Sequence, residues 1–196
     1  MAFGYPVFLE LSGKRAVVIG SLARSERKDQ ALREAGAIVD VFANGAWTPA
    51  DLEGATICVA SSSDPGERAA IARAARRRNV LVNVMDDVPN CDFAAPAVVR
   101  RGDLVLAVAT GGRAPAVARK VREDLEVRYG ADWVETLAVI AEVRRETLPA
   151  LKDLALRARR WRVALDLDEA VSLVRAGRSG ELRDRLFERL VGSGAS

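Results

Sequence analysis

Short apolar runs alternate with helical segments in the first half of the chain, and this alternation limits the possible folds more than any other feature. The runs are rich in β-forming residues and lie at Arg15–Ile19, Ala37–Ala43, Thr56–Ala60 and Val80–Met85. Such alternation is typical of βαβ units, whose strands form a parallel sheet. The sequence therefore predicts an α/β fold with a Rossmann-type parallel sheet.

The helices between these strands carry boundary signals. We predict a helix over Ser25–Ala35 that stops at Gly36, because glycine commonly follows a helix C-terminus. The segment Asp64-Pro65-Gly66-Glu67 predicts the start of the next helix, with an N-cap, a proline at the first position and a glutamate at the third.

The pattern changes after residue 96. Ala97–Arg100 and Leu104–Ala109 flank a tight turn at Arg101-Gly102-Asp103, which predicts a hairpin. A helix with Val117, Val121 and Leu125 on one face is predicted from Pro115 to Gly130. Further helices are predicted over Ala131–Glu146, Ala150–Val163, Asp168–Ala176 and Gly180–Val191. We predict an α/β domain of residues 1–112 followed by a helical extension of residues 113–196.

The composition excludes several kinds of site. The chain has no histidine, so acid–base chemistry must use carboxylates, Lys, Tyr or Cys. Cys58 and Cys91 are too few and too far apart for a disulfide framework or a zinc site, and we interpret them as small apolar residues. Met1–Tyr5 lack a signal-peptide pattern, and no run approaches the roughly 18 apolar residues of a membrane span. We therefore expect a cytoplasmic protein without a membrane partner.

Basic residues, nearly all arginine, gather at Arg76–Arg78, Arg100–Arg101, Arg113–Arg122 and Arg157–Arg162, although the net charge is only +3. Such clusters serve nucleic acid or small polyanions in some proteins, but a helix face laced with Arg and Glu is most often solvated surface. Aromatic residues are only 5% of the chain and no nucleic-acid motif occurs, so we expect no nucleic-acid partner.

The segment from Gly20 to Ser25 connects a predicted strand to a predicted helix. Dinucleotide-binding folds present backbone N–H groups to a pyrophosphate at this place. Only the first glycine of G-x-G-x-x-G/A is present, and Leu22 stands where the second glycine lets the backbone approach the pyrophosphate. Taken alone, the segment fits an ordinary strand-to-helix turn as well as it fits a nucleotide site.

Two further segments place polar groups at strand ends. Asn83-Val84-Met85-Asp86-Asp87 puts a carboxylate pair at the carboxyl end of a parallel strand, where α/β sheets bind ligands, although such an Asp is often only a cap or turn residue. Thr110-Gly111-Gly112-Arg113-Ala114-Pro115 leads from a strand into a helix. Its amides and hydroxyl suit carboxylates or phosphates, or its glycines merely permit a sharp turn.

The order of all these segments is more specific than any one of them. The series consists of Tyr5–Leu11, the Gly20 turn with Arg27-Lys28, Glu34–Ala37, Asp51–Ala55, Thr56–Ala60, Ser61–Asp64, Asn83–Asp87, Cys91–Phe93, Pro96–Gly102 and Thr110–Pro115. In this order the chain resembles the precorrin-2 dehydrogenase (siroheme synthase N-terminal) family, from about Tyr5 to Glu126.

The resemblance implies a homodimer that uses NAD to oxidise precorrin-2, a tetrapyrrole, to sirohydrochlorin; some members of the family also insert ferrous iron. It implies that Asp86 serves dehydrogenation, and metal insertion where that occurs. We assign cofactor contacts to Gly20, Ser21, Leu22, Ala23, Arg24, Ala43, Asn44, Gly45, Ser61 and Ser62. We assign substrate contacts to Asn83, Thr110, Gly111, Gly112 and Arg113, and a carboxylate-binding rim to Arg100, Arg101, Arg113 and Arg119.

Two departures from the family pattern affect the cofactor half. The family has three consecutive glycines where this chain has Gly20-Ser21-Leu22, and the segment Asn44–Pro49 is shorter than the family's connection, which holds another strand and helix. Two functions therefore stay open. The first is an NAD-dependent dehydrogenase with Asp86 as general base. The alternative is a tetrapyrrole-binding or chelatase-only protein that has lost NAD.

Overall fold

Four strands form the predicted parallel sheet. A computed structural model describes residues 4–20 and 22–192, without the side chains of residues 22–25. The strands pair in the order β2-β1-β3-β4 and are Arg15–Gly20 (β1), Ile38–Phe42 (β2), Ile57–Ser61 (β3) and Leu81–Val84 (β4). Every neighbouring pair is parallel, so the four carboxyl ends lie along one edge of the sheet. The Rossmann-type α/β class is confirmed.

Both faces of the sheet are buried, each beneath one helix. Helix α1 (Leu22–Glu34) places Leu32 in a cluster with Ala16 and Val18, and helix α2 (Pro65–Arg76) places Ile71 in a second cluster with Val17 and Ile19. Successive strand residues point to opposite faces, so a strand that is covered on both sides is apolar throughout. This explains the unbroken apolar run of β1.

Helix α1 begins at Leu22, so the predicted start at Ser25 is wrong. Leucine and alanine favour helix more than serine does, and Leu22 and Ala23 therefore enter the first turn. The predicted end is confirmed. Gly36 has a φ of 82°, and the Gly36 and Ala37 amides donate to the carbonyl oxygens of Arg33 and Leu32.

Helix α2 has the predicted cap. The Asp64 carboxylate accepts hydrogen bonds from the amides of Gly66 at 2.9 Å and Glu67 at 3.2 Å. The Glu67 side chain does not bond back to the cap residue. The Asp64 amide instead donates to Ser62 Oγ at 3.1 Å, so the carboxylate of Glu67 is left for other contacts.

The predicted hairpin and the helices after it are also present. The hairpin pairs Ala97–Arg101 (β5) with antiparallel Leu104–Val108 (β6). The helices are Pro115–Arg128 (α3), Asp132–Thr147 (α4), Leu154–Ala164 (α5), Leu167–Arg175 (α6) and Ser179–Val191 (α7). None of the described helices is both long and apolar enough to cross a membrane.

The predicted start of α5 at Ala150 is wrong. The amides of Ala150 and Leu151 donate to the carbonyl oxygen of Thr147, which closes α4, and Leu151 is buried in a cluster of the C-terminal helices. Asp153 then caps a new helix by accepting a 2.6 Å hydrogen bond from the Leu156 amide.

The chain divides into two compact units. One consists of Met1–Pro96 with Ala109–Pro115, and the other of Ala97–Val108 with Ala116–Ser196. The second unit has its own core, which includes Val143, Leu173, Leu186 and Leu190 from α4, α6 and α7. The hairpin thus groups with the helices, while a domain boundary at residue 113 stays a prediction.

Candidate functional site

The carboxyl edge of the parallel sheet gathers the predicted site residues of the first unit. Gly20 ends β1, Ser61 ends β3, and the two are register partners. Ala43–Gly45 follow β2 directly, and Asp86 follows β4 after a single residue, Met85. Parallel α/β sheets bind their ligands at this edge. The topology therefore brings the assigned cofactor segments and Asp86 to the same edge of the sheet.

Gly20 lets β1 and β3 approach closely at this edge. Its φ is 145°, and a Cβ at this position would lie 2.6 Å from the carbonyl oxygen of Ser61. Helix α1 begins two residues later, at Leu22. Ser21 lies outside the described residues, and of Leu22, Ala23 and Arg24 only the helical backbone is described. A close glycine followed by a helix N-terminus is the arrangement with which dinucleotide folds bind a pyrophosphate.

Glu67, a residue without a site motif in the sequence, holds the loop after β2. Its Oε1 accepts hydrogen bonds from the Gly45 amide at 2.7 Å and from Trp47 Nε1 at 3.0 Å, and its Oε2 accepts one from Ser62 Oγ at 2.6 Å. The short Asn44–Pro49 segment is thereby tied to the start of α2. Two of the assigned cofactor contacts, Gly45 and Ser62, therefore already have a partner within the protein.

These hydrogen bonds also set the acidity of Glu67. Burial alone raises the pKa of its carboxyl, but the donors Ser62, Gly45 and Trp47 outweigh this effect and hold the pKa below its ordinary value. A carboxyl with a lowered pKa in the folded state stabilises the fold above its unfolded pKa. The stabilisation disappears as the pH falls through the folded value.

We expect Glu67→Gln to lower the free energy of unfolding by about 1–2 kcal/mol at pH 7, because a neutral amide replaces the charged carboxylate that accepts from three donors. The difference between wild type and variant should shrink as the pH is lowered below about 4, because the wild-type carboxyl is then protonated as well. Urea unfolding at pH 7 and at pH 3 measures both quantities. A difference that stays the same at both pH values would contradict the role of the charge.

Asp86 has an unusual backbone conformation for a residue with a side chain. Its φ is 61°, in the left-handed region that favours glycine. Asp86 is exposed, and among the described residues no side chain forms a hydrogen bond or an ion pair with its carboxylate. A carboxylate without a side-chain partner in the described part of the chain therefore lies at the carboxyl edge of the sheet.

Asp87 differs from Asp86 in every one of these respects. Its Oδ2 accepts hydrogen bonds from Arg68 Nε at 2.8 Å and Asn90 Nδ2 at 3.0 Å. The donors Asn90 and Arg68 hold the pKa of the Asp87 carboxyl below its ordinary value. Asp87 is thus committed to contacts within the protein.

Asn83 and Cys91 hold the segment that follows β4. Asn83 Nδ2 donates to the carbonyl oxygen of Phe93 at 2.8 Å. Cys91 Sγ lies 3.2 Å from the Val84 amide and 3.1 Å from the Val84 carbonyl oxygen, and burial raises the pKa of its thiol. The side-chain amide of Asn83, which we assigned to substrate, therefore has a partner inside the protein. A substrate contact by Asn83 stays a prediction.

The Thr110–Arg113 turn belongs to the same unit as Asp86. Gly111 and Gly112 have φ values of 62° and 77°, and Thr110 Oγ1 accepts a 3.3 Å hydrogen bond from the Ala114 amide. A Cβ on Gly112 would lie 4.0 Å from Cγ2 of Val88, which follows Asp86 by two residues. The glycine pair and the Asp86 segment are therefore neighbours.

The arginines assigned to a common rim are not shown to form one. Arg113 is exposed in the first unit, whereas Arg100, Arg101 and Arg119 belong to the second. Arg101 donates to the carbonyl oxygens of Arg100 at 2.9 Å and Glu126 at 3.3 Å. A shared rim stays a prediction. Within the described part of the chain, no three His, Cys, Asp or Glu side chains form a metal-binding group.

A family model and curated relatives match this chain. Residues 7–97 match the family model described as "Putative NAD(P)-binding". The chain is 33% identical to siroheme synthase 1 of Pectobacterium atrosepticum, over 95% of this chain and 42% of that protein. It is 29% identical to the siroheme synthase of Chromobacterium violaceum, over 97% of this chain and 44% of that protein. The chain thus spans less than half the length of these relatives.

A solved structure shares the fold over nearly the whole chain. The precorrin-2 dehydrogenase SirC superposes with a TM-score of 0.71 at 19% sequence identity, and the match covers 93% of this chain and 98% of that one. At this level of identity the likeness shows the fold alone.

Proposed function

Because the chain belongs to the precorrin-2 dehydrogenase and siroheme synthase N-terminal family, we propose that it oxidises precorrin-2 to sirohydrochlorin with NAD as the oxidant. The observation that carries the proposal is the pair of carboxylates after β4. Asp87 is committed to Arg68 and Asn90, while Asp86 is exposed, unpaired among the described residues and held at a φ that favours glycine.

The residues at the strand ends fit a dinucleotide. Gly20 suits a pyrophosphate contact because the backbone is bare at a position where no Cβ can be accommodated beside Ser61, and the N-terminus of α1 follows two residues later. Asn44 and Gly45 follow β2, where dinucleotide folds contact the adenosine ribose. The segment Ala43–Pro49 contains no Lys or Arg, the residue types that accommodate the 2′-phosphate of NADP, and this favours NAD.

The substrate half offers a proton acceptor beside an anion-binding turn. Precorrin-2 carries many carboxylates, and the amides and hydroxyl of Thr110–Gly112 suit one of them. Oxidation to sirohydrochlorin removes a hydride and a proton. When NAD is bound, its nicotinamide would accept the hydride. Asp86 accepts the proton, because its carboxylate is exposed and makes no contact with a described side chain that competes for it.

The experiment that tests this proposal supplies precorrin-2 anaerobically to the purified protein with NAD, with NADP and without cofactor. We expect sirohydrochlorin, followed by its absorbance, only when a nicotinamide cofactor is present, and faster with NAD. Calorimetric titration with both cofactors measures binding separately from turnover. No conversion at saturating NAD would contradict the dehydrogenase.

The second candidate function is a tetrapyrrole-binding or chelatase-only protein without NAD. The contacts of Glu67 favour it, since they occupy the Gly45 amide and the Ser62 hydroxyl. This candidate predicts that sirohydrochlorin binds while NAD does not. Metal insertion would use the Asp86 carboxylate, so ferrous iron supplied to wild type and Asp86→Asn with sirohydrochlorin tests that activity.

We expect Gly111→Val to weaken sirohydrochlorin binding by about tenfold or more and to leave NAD affinity nearly unchanged. A β-branched residue avoids the positive φ of Gly111, so the turn must rearrange and its amides move. Gly111→Asn is the matched control, since asparagine tolerates this conformation. Absorbance titration measures the tetrapyrrole and calorimetry measures NAD. Equal loss of both ligands would argue against a separate anion site.

We also propose that the protein is a cytoplasmic homodimer. Apolar side chains of the second unit support the dimer. Val117 and Val121 lie on the predicted apolar face of α3, yet they are 54% and 40% exposed, and Val98 of β5 is 40% exposed. Exposed apolar side chains of this kind suit burial against a second copy of the chain. Light scattering coupled to size-exclusion chromatography measures the mass, and a monomer at micromolar concentration would contradict the dimer.

A further inference from the structure

Asp86 occupies a turn position at which glycine is normal. The Asp87 amide donates to the Val84 carbonyl oxygen at 3.2 Å, which closes a four-residue turn with Asp86 in the third place. A positive φ in that place is a feature of turns that usually carry glycine there. A side chain in such a conformation persists only when surrounding contacts fix the backbone.

Arg68 makes contacts of the required kind. It lies near the start of α2 and forms a 2.8 Å ion pair through Nε with Asp87 Oδ2. Its Nη1 also donates to the carbonyl oxygens of Ser62 at 3.0 Å and Ser63 at 3.3 Å. One guanidinium thus links the loop after β3 to the residue that follows Asp86.

The linkage is shielded from solvent. The Arg68 and Asp87 side chains are 23% and 14% exposed, so the ion pair is screened by water less than a surface pair. On its far side, Asp87 is held by Asn90, whose amide donates to the Asp87 carbonyl oxygen at 3.0 Å and whose Nδ2 donates to Oδ2. The residue after Asp86 is therefore fixed through both its side chain and its backbone.

We propose that Arg68 is a positioning residue for Asp86. Through Asp87 and the Ser62 and Ser63 carbonyl groups, it holds the Val84–Asp87 turn in the conformation that keeps the Asp86 carboxylate exposed at the carboxyl edge. The inference rests on the proposed role of Asp86 as the proton acceptor. Arg68 itself does not contact substrate; it acts through Asp86.

The chain offers a matched control on the same helix. Arg76, two turns further along α2, forms a 2.8 Å ion pair through Nε with Asp92 and also reaches the carbonyl oxygen of Pro89. It ties α2 to the same connecting segment, but at the end remote from Asp86 in sequence. Removing Arg76 therefore shows how much the loss of a helix-to-loop ion pair affects turnover through the fold, without an effect on Asp86.

The test compares precorrin-2 oxidation by wild type, Arg68→Ala, Arg68→Lys, Arg76→Ala, Asp86→Asn and the double variant of Arg68→Ala with Asp86→Asn. We expect Arg68→Ala to lower kcat by up to about 100-fold with little change in KM, the size of effect that a small misplacement of a reacting group produces. Arg68→Lys, which keeps the charge but has one nitrogen instead of a fork, should recover part of the loss. Arg76→Ala should keep the wild-type kcat.

The double variant distinguishes positioning from general damage. If Arg68 acts through Asp86, removing Arg68 adds no further loss once Asp86 is Asn; a merely structural role lowers both backgrounds equally. Arg68→Lys keeps the comparison possible if Arg68→Ala fails to fold. Two outcomes would overturn this inference and leave the proposed dehydrogenase standing. In the first, the wild type is active and both Arg68→Ala and Arg68→Lys keep its kcat. In the second, Arg68→Ala lowers kcat by the same factor in the Asp86→Asn background as in the wild type. An inactive wild type would instead overturn the proposed dehydrogenase and the role of Arg68 with it.

Discussion

Asp86→Asn is expected to lower the turnover of precorrin-2 by about 10²–10⁴-fold, the usual contribution of a general base. In the proposed mechanism the substitution removes the proton acceptor and little else. Asparagine tolerates the left-handed φ of 61° as well as aspartate does, so the turn after β4 keeps its shape. Initial rates of sirohydrochlorin formation at saturating NAD measure the effect, and urea unfolding shows whether the stability is unchanged.

Asp87→Asn is the paired variant in this experiment. It weakens the contact with Arg68, so a loss of turnover is expected, but a smaller one than for Asp86→Asn, together with a lower unfolding free energy. The reason is that Asp87 is committed to Arg68 and Asn90, and its change reaches the chemistry only through the backbone of Asp86. Full activity in Asp86→Asn combined with strong loss in Asp87→Asn would reverse the two roles.

The sheet and the position of Asp86 were predictable because both follow from local sequence. Parallel strands that are covered on both faces leave apolar runs, as in Arg15–Ile19, and their carboxyl ends meet at one edge. Any polar residue that follows such a run, Asp86 included, is thereby placed at the edge. The glycine after α1 and the cap of α2 are likewise signals within a few residues of the elements they end or begin.

The contacts that tie the edge together were not predictable, because they join residues distant in sequence. Glu67 bonds to Gly45 across 22 positions, and Arg68 pairs with Asp87 across 19. At the third position of a helix, a glutamate is expected to complete a capping box. Here Ser62 satisfies the amide of the cap residue, and tertiary contacts take the carboxylate.

The misplaced start of α5 has a related cause. Helical periodicity from Ala150 to Val163 does not show where one helix ends and the next begins. In the folded chain Leu151 is drawn into the core of the second unit, so the new helix starts only after the cap at Asp153. Burial of Leu151 therefore decides where α5 begins, and the local pattern does not contain this information.

Gly20→Ala is expected to have the second large effect, on stability and on cofactor affinity together. The added Cβ would lie 2.6 Å from the Ser61 carbonyl oxygen, at a φ of 145° that alanine avoids, so β1 and β3 must separate where they end. Overpacking and backbone strain together cost about 2–4 kcal/mol of unfolding free energy. Because the turn that leads into α1 must shift as well, we expect NAD affinity to fall by more than about tenfold, or about 1.4 kcal/mol.

Gly54→Ala separates the two causes. Gly54 also has a positive φ, of 70°, but a Cβ there meets no atom within 4 Å, so only the backbone strain of about 1–2 kcal/mol is paid. Urea unfolding of both variants gives the contribution of the close approach as their difference, and calorimetry with NAD shows whether affinity falls only at Gly20. If Gly20→Ala is as stable as Gly54→Ala and binds NAD like wild type, the close approach of Gly20 to Ser61 neither limits packing nor shapes the cofactor site. Lost stability with full NAD affinity in the remaining folded protein would leave Gly20 as a packing residue and place the pyrophosphate elsewhere along the edge.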